Sequence, residues 1–165
     1  MTPTSHDITP KNVHLAIKYY TELLTHGNQL LIVSKPIPTI MDRLYEALHP
    51  FLGQIVWRFS ITTLNDYKRR EWEPGAPAIA HRLLALQTMF LRGGNTSVSI
   101  EPFLDMTVIE LVTRLLPFVR EKIWVGPKNK IHVPPERWTA FEEQLYSPEN
   151  LLLIKTTLDV LHSEK

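Results

Sequence analysis

Apolar and polar residues alternate most clearly in residues 54–63. The apolar set comprises Ile55, Trp57, Phe59 and Ile61. The intervening set ends with Arg58, Ser60 and Thr62. Because successive side chains point to opposite faces of a strand, this pattern predicts a strand with one face under helices and a polar carboxyl end on the other face. Ligands bind outside the carboxyl ends of parallel strands, so this polar end either lines a binding site or simply faces water.

Three other segments have the pattern of strands, namely residues 30–33, 96–101 and 123–125. The first is a continuous apolar run, which is typical of a strand covered on both faces in a parallel sheet. Apolar residues at helical spacing, with Pro and Gly at the boundaries, predict helices over residues 9–26, 38–49, 77–92, 105–120, 135–146 and 148–162. Residues 64–74 have no such spacing, and we predict a loop there.

The order of these elements is a helix, three strand–helix units, and then a strand followed by two helices. Such alternation favours parallel strands joined by right-handed crossovers. A closed (β/α) barrel takes eight strands and about 250 residues, so this chain is too short for one. We predict an α/β fold in a single domain over residues 1–165, with C-terminal helices at 134–162. The expected architecture is an incomplete TIM-type (β/α) barrel with about four parallel strands and helices on the outer face, lacking its N-terminal strands.

The composition excludes several classes of chemistry. None of the 165 residues is cysteine, which rules out disulfides, thiol catalysis and a protein-ligated iron–sulfur cluster within this chain. The net charge of +1 gives no electrostatic reason to expect nucleic acid or an anionic membrane as partner. The basic run Lys68, Arg69 and Arg70 beside Trp72 resembles a small nucleic-acid contact, but a solvated loop is favoured because no wider basic surface accompanies it. Without a membrane-spanning run or a signal peptide, we expect a cytoplasmic protein.

The candidate site residues lie at the ends of the predicted strands. They are Ser34 and Lys35, Ser60, Thr62 and Thr63, Glu101, and Gly126, Lys128 and Asn129, with Ser5, His6 and Asp7 ahead of the first helix. In a parallel sheet all of these ends lie on one rim. A lysine, hydroxyls and a carboxylate suit a small zwitterion, with Lys35 holding its carboxylate and Glu101 or a hydroxyl holding its amino group.

Each of these residues also has a purely structural interpretation. Lys35 fits a solvated lysine after a buried strand. Glu101 fits an ion-pair partner for Arg58. His6 and Asp7 fit caps of the first helix, and capping is favoured over catalysis for them.

Several blocks of the sequence resemble, in the same order, the later half of the core domain of radical S-adenosylmethionine proteins. The blocks span about residues 4–130 and read SHDIT, LLIVSKP, VWRFSITT, EPGAP before a helix with RLLAL, VSIEPFLD and IWVGPKN. Within that superfamily the chain is similar to spore photoproduct lyase and its uncharacterised relatives.

The resemblance implies a partial (β/α) barrel that binds S-adenosylmethionine beside a [4Fe–4S] cluster, which splits it reductively to a 5′-deoxyadenosyl radical. It implies that Lys35 holds the methionine carboxylate, that Ser60 contacts the cofactor and that Ser5 contributes. Glu101 would line the adenosine side. Thr62, in the same block as Ser60, completes the expected cofactor-binding set.

The chain departs from the family in lacking the CxxxCxxC cluster motif. A [4Fe–4S] cluster is therefore expected only if a missing N-terminal half supplies it. We expect the chain to be the S-adenosylmethionine-binding half of a radical S-adenosylmethionine protein, inactive alone. One alternative is a degenerate, non-catalytic binding or interaction module. The least favoured alternative is an unrelated barrel enzyme that uses Lys35 as a Schiff-base amine. The expected partner is a complementing N-terminal polypeptide or a second copy paired through an open sheet edge.

Overall fold

Parallel strands form one sheet whose order in space is their order along the chain. The computed structural model describes residues 7–127 and 140–163, and within them the sheet has four strands. They are β1 (Leu30–Ser34), β2 (Ile55–Ser60), β3 (Asn95–Ile100) and β4 (Ile123–Val125). All neighbouring pairs are parallel. The predicted α/β class and the sequential, parallel order of the strands are confirmed.

Helices precede the first strand, connect the strands and follow the last of them. They are α1 (Val13–Thr25), α2 (Pro38–Leu48), α3 (Asp66–Trp72), α4 (Ile79–Leu91), α5 (Val108–Leu115), α6 (Ala140–Leu145) and α7 (Pro148–Ser163). Short 3₁₀ turns at His49–Gln54 and Leu116–Phe118 follow α2 and α5. In the part of the chain that the structure describes, no helix is both long enough and apolar enough to cross a membrane.

One face of the sheet forms the hydrophobic core with the helices. The register sets Ile32 beside Trp57 and Phe59 beside Val98, and all four side chains are buried. Leu86 of α4 lies in the same cluster. The apolar residues that alternation predicted in β2 therefore face the helices, because packing against the helices removes their side chains from water.

The opposite face of the sheet, which we call the open face, keeps contact with solvent. Leu31, Val33, Arg58 and Ser60 are half-buried on it, and Trp124 is 45% exposed. The prediction that both faces of β1 are buried is therefore wrong for the described residues. An apolar run shows that a strand has many apolar side chains. It does not show which element of the fold covers each of its faces.

Residues 64–74 are not a plain loop, since they contain α3. Asn65 caps this helix, its side-chain oxygen accepting from the backbone N–H groups of Tyr67 and Lys68. In the first turn Asp66 pairs with Arg69, whose Nη2 lies 2.9 Å from Asp66 Oδ2. The helix is held by its cap and by ion pairing rather than by an apolar stripe, so hydrophobic periodicity did not detect it.

Helix α1 also begins later than predicted. The cap was expected at Thr9, but residues 10–12 form a turn and the helix starts at Val13. The backbone N–H of Thr9 donates to Asn12 Oδ1 at 2.6 Å, which stabilises this turn. The predicted start of the helix at 135 lies outside the described residues.

Neighbouring residues of β1 test which face is covered. We expect Ile32→Ala to lower the free energy of unfolding by about 2–5 kcal/mol, because Ile32 is buried against the helices and its loss leaves a cavity. Val33→Ala on the open face should cost less than half as much. Urea denaturation of both variants measures the difference, and equal losses would contradict the assignment of the two faces.

Candidate functional site

Lys35 follows β1 and lies between two carboxylates. Its Nζ is 3.6 Å from Glu73 Oε1 and 3.9 Å from Asp7 Oδ2. Its backbone N–H donates to Asp7 Oδ1 at 2.7 Å, which fixes the start of the loop after the strand. The lysine side chain is 32% exposed, so its ammonium group is both charge-balanced and open to solvent.

Glu73 is held in place from inside the protein by Arg82 of α4. The Arg82 side chain is fully buried, and its Nη2 lies 2.7 Å from Glu73 Oε2. The same guanidinium donates to the backbone carbonyls of Ser60 at 3.1 Å and Pro77 at 3.0 Å. Thr62 Oγ1 donates to Glu73 Oε2 at 3.2 Å. The carboxylate beside Lys35 therefore has a fixed position.

The turn after α3 explains why Glu73 reaches this position. The backbone N–H of Ala76 donates to the carbonyl of Glu73 at 3.0 Å. Pro74 and Gly75 occupy the centre of the turn, and the φ of +81° at Gly75 is the value that a type II turn requires of its third residue. A side chain at this position would be strained, so glycine is needed here.

Asp66 ties the two ends of this loop together. It accepts from the Arg69 side chain and from the backbone N–H of Ile79, at the start of α4. The hydrogen bonds from Arg69 and then from Ile79 lower the pKa of Asp66 to about 2. The carboxylate is therefore charged at neutral pH and links α3 to α4 on either side of Glu73.

A second polar group lies at the ends of β2 and β3. Ser60 and Ser99 are partners in the parallel register and share the open face. Ser99 Oγ donates to Glu101 Oε2 at 3.1 Å, so Glu101 lies over the same face. A Cβ at Gly126 would come within 2.7 Å of Glu101 Oε1, which shows how closely the backbone after β4 approaches this carboxylate.

The structure brings most of the predicted site residues to the carboxyl end of the sheet. Lys35, Ser60, Thr62 and Glu101 all lie there. Thr62 is buried with its hydroxyl directed to Glu73, so it supports that carboxylate. Ser5, His6, Lys128 and Asn129 were also predicted on this rim, and they lie outside the described residues.

Two structural alternatives for the predicted residues can be compared with the contacts. Asp7 was expected to cap the first helix, but its carboxylate accepts from Ser34 Oγ and from the backbone of Lys35. Glu101 was a candidate ion-pair partner of Arg58, yet among the described residues no ion pair joins the two.

Sequence reasoning did not select Glu73 or Arg82. The signal for Arg82 was available, because it falls on the apolar face of α4 with Ile79, Ala85 and Met89. Arginine is almost never fully buried without a charged partner, so its position implied a carboxylate nearby. Nothing local identified that carboxylate as Glu73.

The arrangement of Lys35 and Glu73 suits a charged organic group. Among the described residues, no group of three or more histidine and carboxylate side chains is placed to hold a metal ion. A [4Fe–4S] cluster does not fit this chain, which has no thiolate to offer. A neighbouring cation and carboxylate, by contrast, match the two ends of an amino acid.

Comparisons with known proteins do not extend this assignment. No model of a known protein family matches the chain, and neither a curated protein nor a solved structure matches it significantly. The geometry of the rim and the sequence blocks that form it are therefore the only indications of function.

Removing the buried cation should destabilise the protein strongly. We expect Arg82→Met to lower the free energy of unfolding by about 3–5 kcal/mol, because it leaves Glu73 without its partner inside the protein. Chemical denaturation measures the loss, and combination with Glu73→Gln in a double-mutant cycle measures the coupling between the two side chains.

Arg92→Met is the matched control. Arg92 Nη1 lies 2.7 Å from Asp42 Oδ1, the same distance as in the buried pair, but both side chains are exposed by a third or more. Its loss should cost at most about 1 kcal/mol. Equal costs for Arg82→Met and Arg92→Met would refute a special role for the buried pair.

Proposed function

We propose that this chain binds S-adenosylmethionine at the carboxyl end of its sheet, as the cofactor-binding half of a radical S-adenosylmethionine protein. The observation that carries the proposal is the pairing of the partly exposed Lys35 side chain with the immobilised Glu73 carboxylate. The methionine part of the cofactor is a zwitterion, so its carboxylate would meet Lys35 and its ammonium would meet Glu73 or Asp7.

The distances around Lys35 support this proposal. An ammonium group carries three donors, and N–H···O hydrogen bonds are typically about 2.7–3.2 Å long. The distances from Nζ to Glu73 and Asp7, 3.6 and 3.9 Å, are longer than that. The lysine is thus attracted to its neighbours while its donors remain available to an incoming carboxylate.

The remaining rim residues receive roles that follow their positions. Ser60 would offer its hydroxyl to the cofactor, and Thr62 would keep Glu73 aligned. Glu101 would face the adenosine side, where a carboxylate can accept from hydroxyl groups. Ser5 would add a further hydroxyl. In this proposal the sheet is a section of a TIM-type barrel, and its open face corresponds to the barrel interior.

The radical chemistry would need a second component. The cluster that supplies the electron needs thiolates, and these would come from another polypeptide carrying the CxxxCxxC motif. Among the described strands β1 has a neighbour on one side only, so its free edge is the expected site for that partner or for a second copy. The proposal includes a cytoplasmic location, in keeping with a sequence that has no cysteine to form disulfides.

The second candidate is a non-catalytic binding or interaction module. Apolar side chains on the open face favour it, since Trp124 is 45% exposed and Val33 is half-buried. Such a module would keep the fold and bind its partner with the open face, without using the zwitterion site formed by Lys35, Glu73 and Asp7.

Substitution of Lys35 tests cofactor binding directly. Lys35→Ala should weaken the binding of S-adenosylmethionine by about 1.5–3 kcal/mol, the usual contribution of a hydrogen bond to a charged group. Isothermal titration calorimetry measures it. Lys68→Ala, which removes an equal charge from α3, is the control and should leave the affinity unchanged. An unaltered affinity in Lys35→Ala would remove the role assigned to this lysine.

The state of association separates the two candidate functions. We expect the isolated chain to self-associate with rising concentration, or to become monodisperse only with a complementing partner, because β1 has a free edge and half-buried Val33 beside it. Size-exclusion chromatography with light scattering measures this, and Val33→Lys should reduce the association. A stable, cooperatively folding monomer at all concentrations would favour the self-sufficient module.

A further inference from the structure

Arg58 lies in the middle of the open face, on β2, and its guanidinium group is held in a defined orientation. Its Nε donates to Ser97 Oγ at 3.1 Å, and Ser97 Oγ donates in turn to the Lys122 carbonyl at 2.7 Å. The guanidinium carbon lies 5.1 Å from the centre of the Trp124 ring. Contacts from β3 and β4 therefore position one edge and one face of this cation.

The two outer nitrogens of Arg58 remain available. Within the described part of the chain they make no hydrogen bond, and no carboxylate lies within 4.0 Å of them. The two arginines that are buried in the described ranges differ from Arg58 in this respect, since Arg69 and Arg82 are each paired with a carboxylate. Arg58 thus presents an oriented pair of donors without an anion.

The surroundings of Arg58 remove part of the hydration of its guanidinium group. Burial lowers the pKa of the Arg58 guanidinium below its usual value, and the charge of Glu101 acts in the opposite direction without direct contact. A partly desolvated cation gains from an added counter-charge, because the lost hydration is replaced by hydrogen bonds.

We propose that Arg58 is the centre of an oxyanion-binding subsite on the open face, which takes the carboxylate or phosphate group of a ligand whose aromatic or apolar body packs against Trp124. The planar guanidinium matches two oxygens of such a group in a bidentate pair. The exposed indole of Trp124 offers a flat apolar surface next to it.

This subsite is separate from the zwitterion site. It lies two residues before Ser60 on the same face of β2, about 7 Å from Ser60 at the strand rise per residue, and it uses neither Lys35 nor Glu73. The inference therefore does not depend on S-adenosylmethionine binding, and either proposal can fail alone.

The test is an NMR titration of the full chain, following the Arg58 Nε–H and Trp124 indole N–H signals. Benzoate and phenyl phosphate are the probes, and benzamide is the neutral control with the shape of benzoate. We expect saturable shifts of both signals with at least one anionic probe and none with benzamide. A response to benzoate alone identifies a carboxylate subsite, and a response to phenyl phosphate alone identifies a phosphate subsite. Equal shifts with benzamide, or no saturable shift with either anion, would overturn the proposal.

Variants distinguish the contribution of the planar pair of guanidinium donors from that of the positive charge. Arg58→Lys keeps the positive charge but removes the planar pair of donors, and it should weaken the anionic probe about tenfold. Lys68→Ala, which removes an equal charge from α3, should leave the probe affinity unchanged. Trp124→Ala, at a position that is 45% exposed, should weaken binding severalfold and provides a test even if the Arg58 variant fails to fold. Equal affinity in wild type and Arg58→Lys, or in wild type and Trp124→Ala, would contradict the proposed subsite.

Discussion

The buried Arg82 guanidinium is the interaction on which the candidate site depends. It contacts three separate parts of the chain at once, namely the end of β2 at Ser60, the loop carbonyl of Pro77 and the Glu73 carboxylate. Burying a charge costs several kcal/mol, so the position is tolerable only because these acceptors surround it. The same contacts that offset this cost determine where Glu73 lies, and Glu73 determines what Lys35 faces.

The two faces of the sheet have different roles in the structure. The covered face, with Trp57 and Phe59, excludes water and supplies the core. The open face carries charge in two arrangements, since Lys35 is balanced by two carboxylates whereas Arg58 has none in contact among the described residues. A balanced cation suits a zwitterion, and an unbalanced one suits an anion. The open face thus carries two different charge arrangements, which are the basis of the two proposed binding sites.

Much of the architecture could be predicted from local pattern. Alternation in β2 assigned Trp57 to the core and Ser60 to the opposite face, because the period of two in a strand directly reports which side meets water. The sequential order of parallel strands followed from the strand–helix alternation. Local pattern failed where the stabilising contacts are polar, as in α3, and where covering a face depends on a distant element, as for Val33 in β1.

The sequence by itself determined the four strands and the helices with an apolar stripe, the core face of β2 and the presence of Lys35, Ser60 and Glu101 at strand ends. Only the tertiary structure decided that Glu73 and Asp7 flank Lys35, that Arg82 fixes Glu73, and that Arg58 lies beside Trp124. Hydrophobic periodicity records whether a position faces water or the core. It does not predict which charged residue, dozens of positions away, completes an ion pair. That partner is determined by how whole strands and helices pack together.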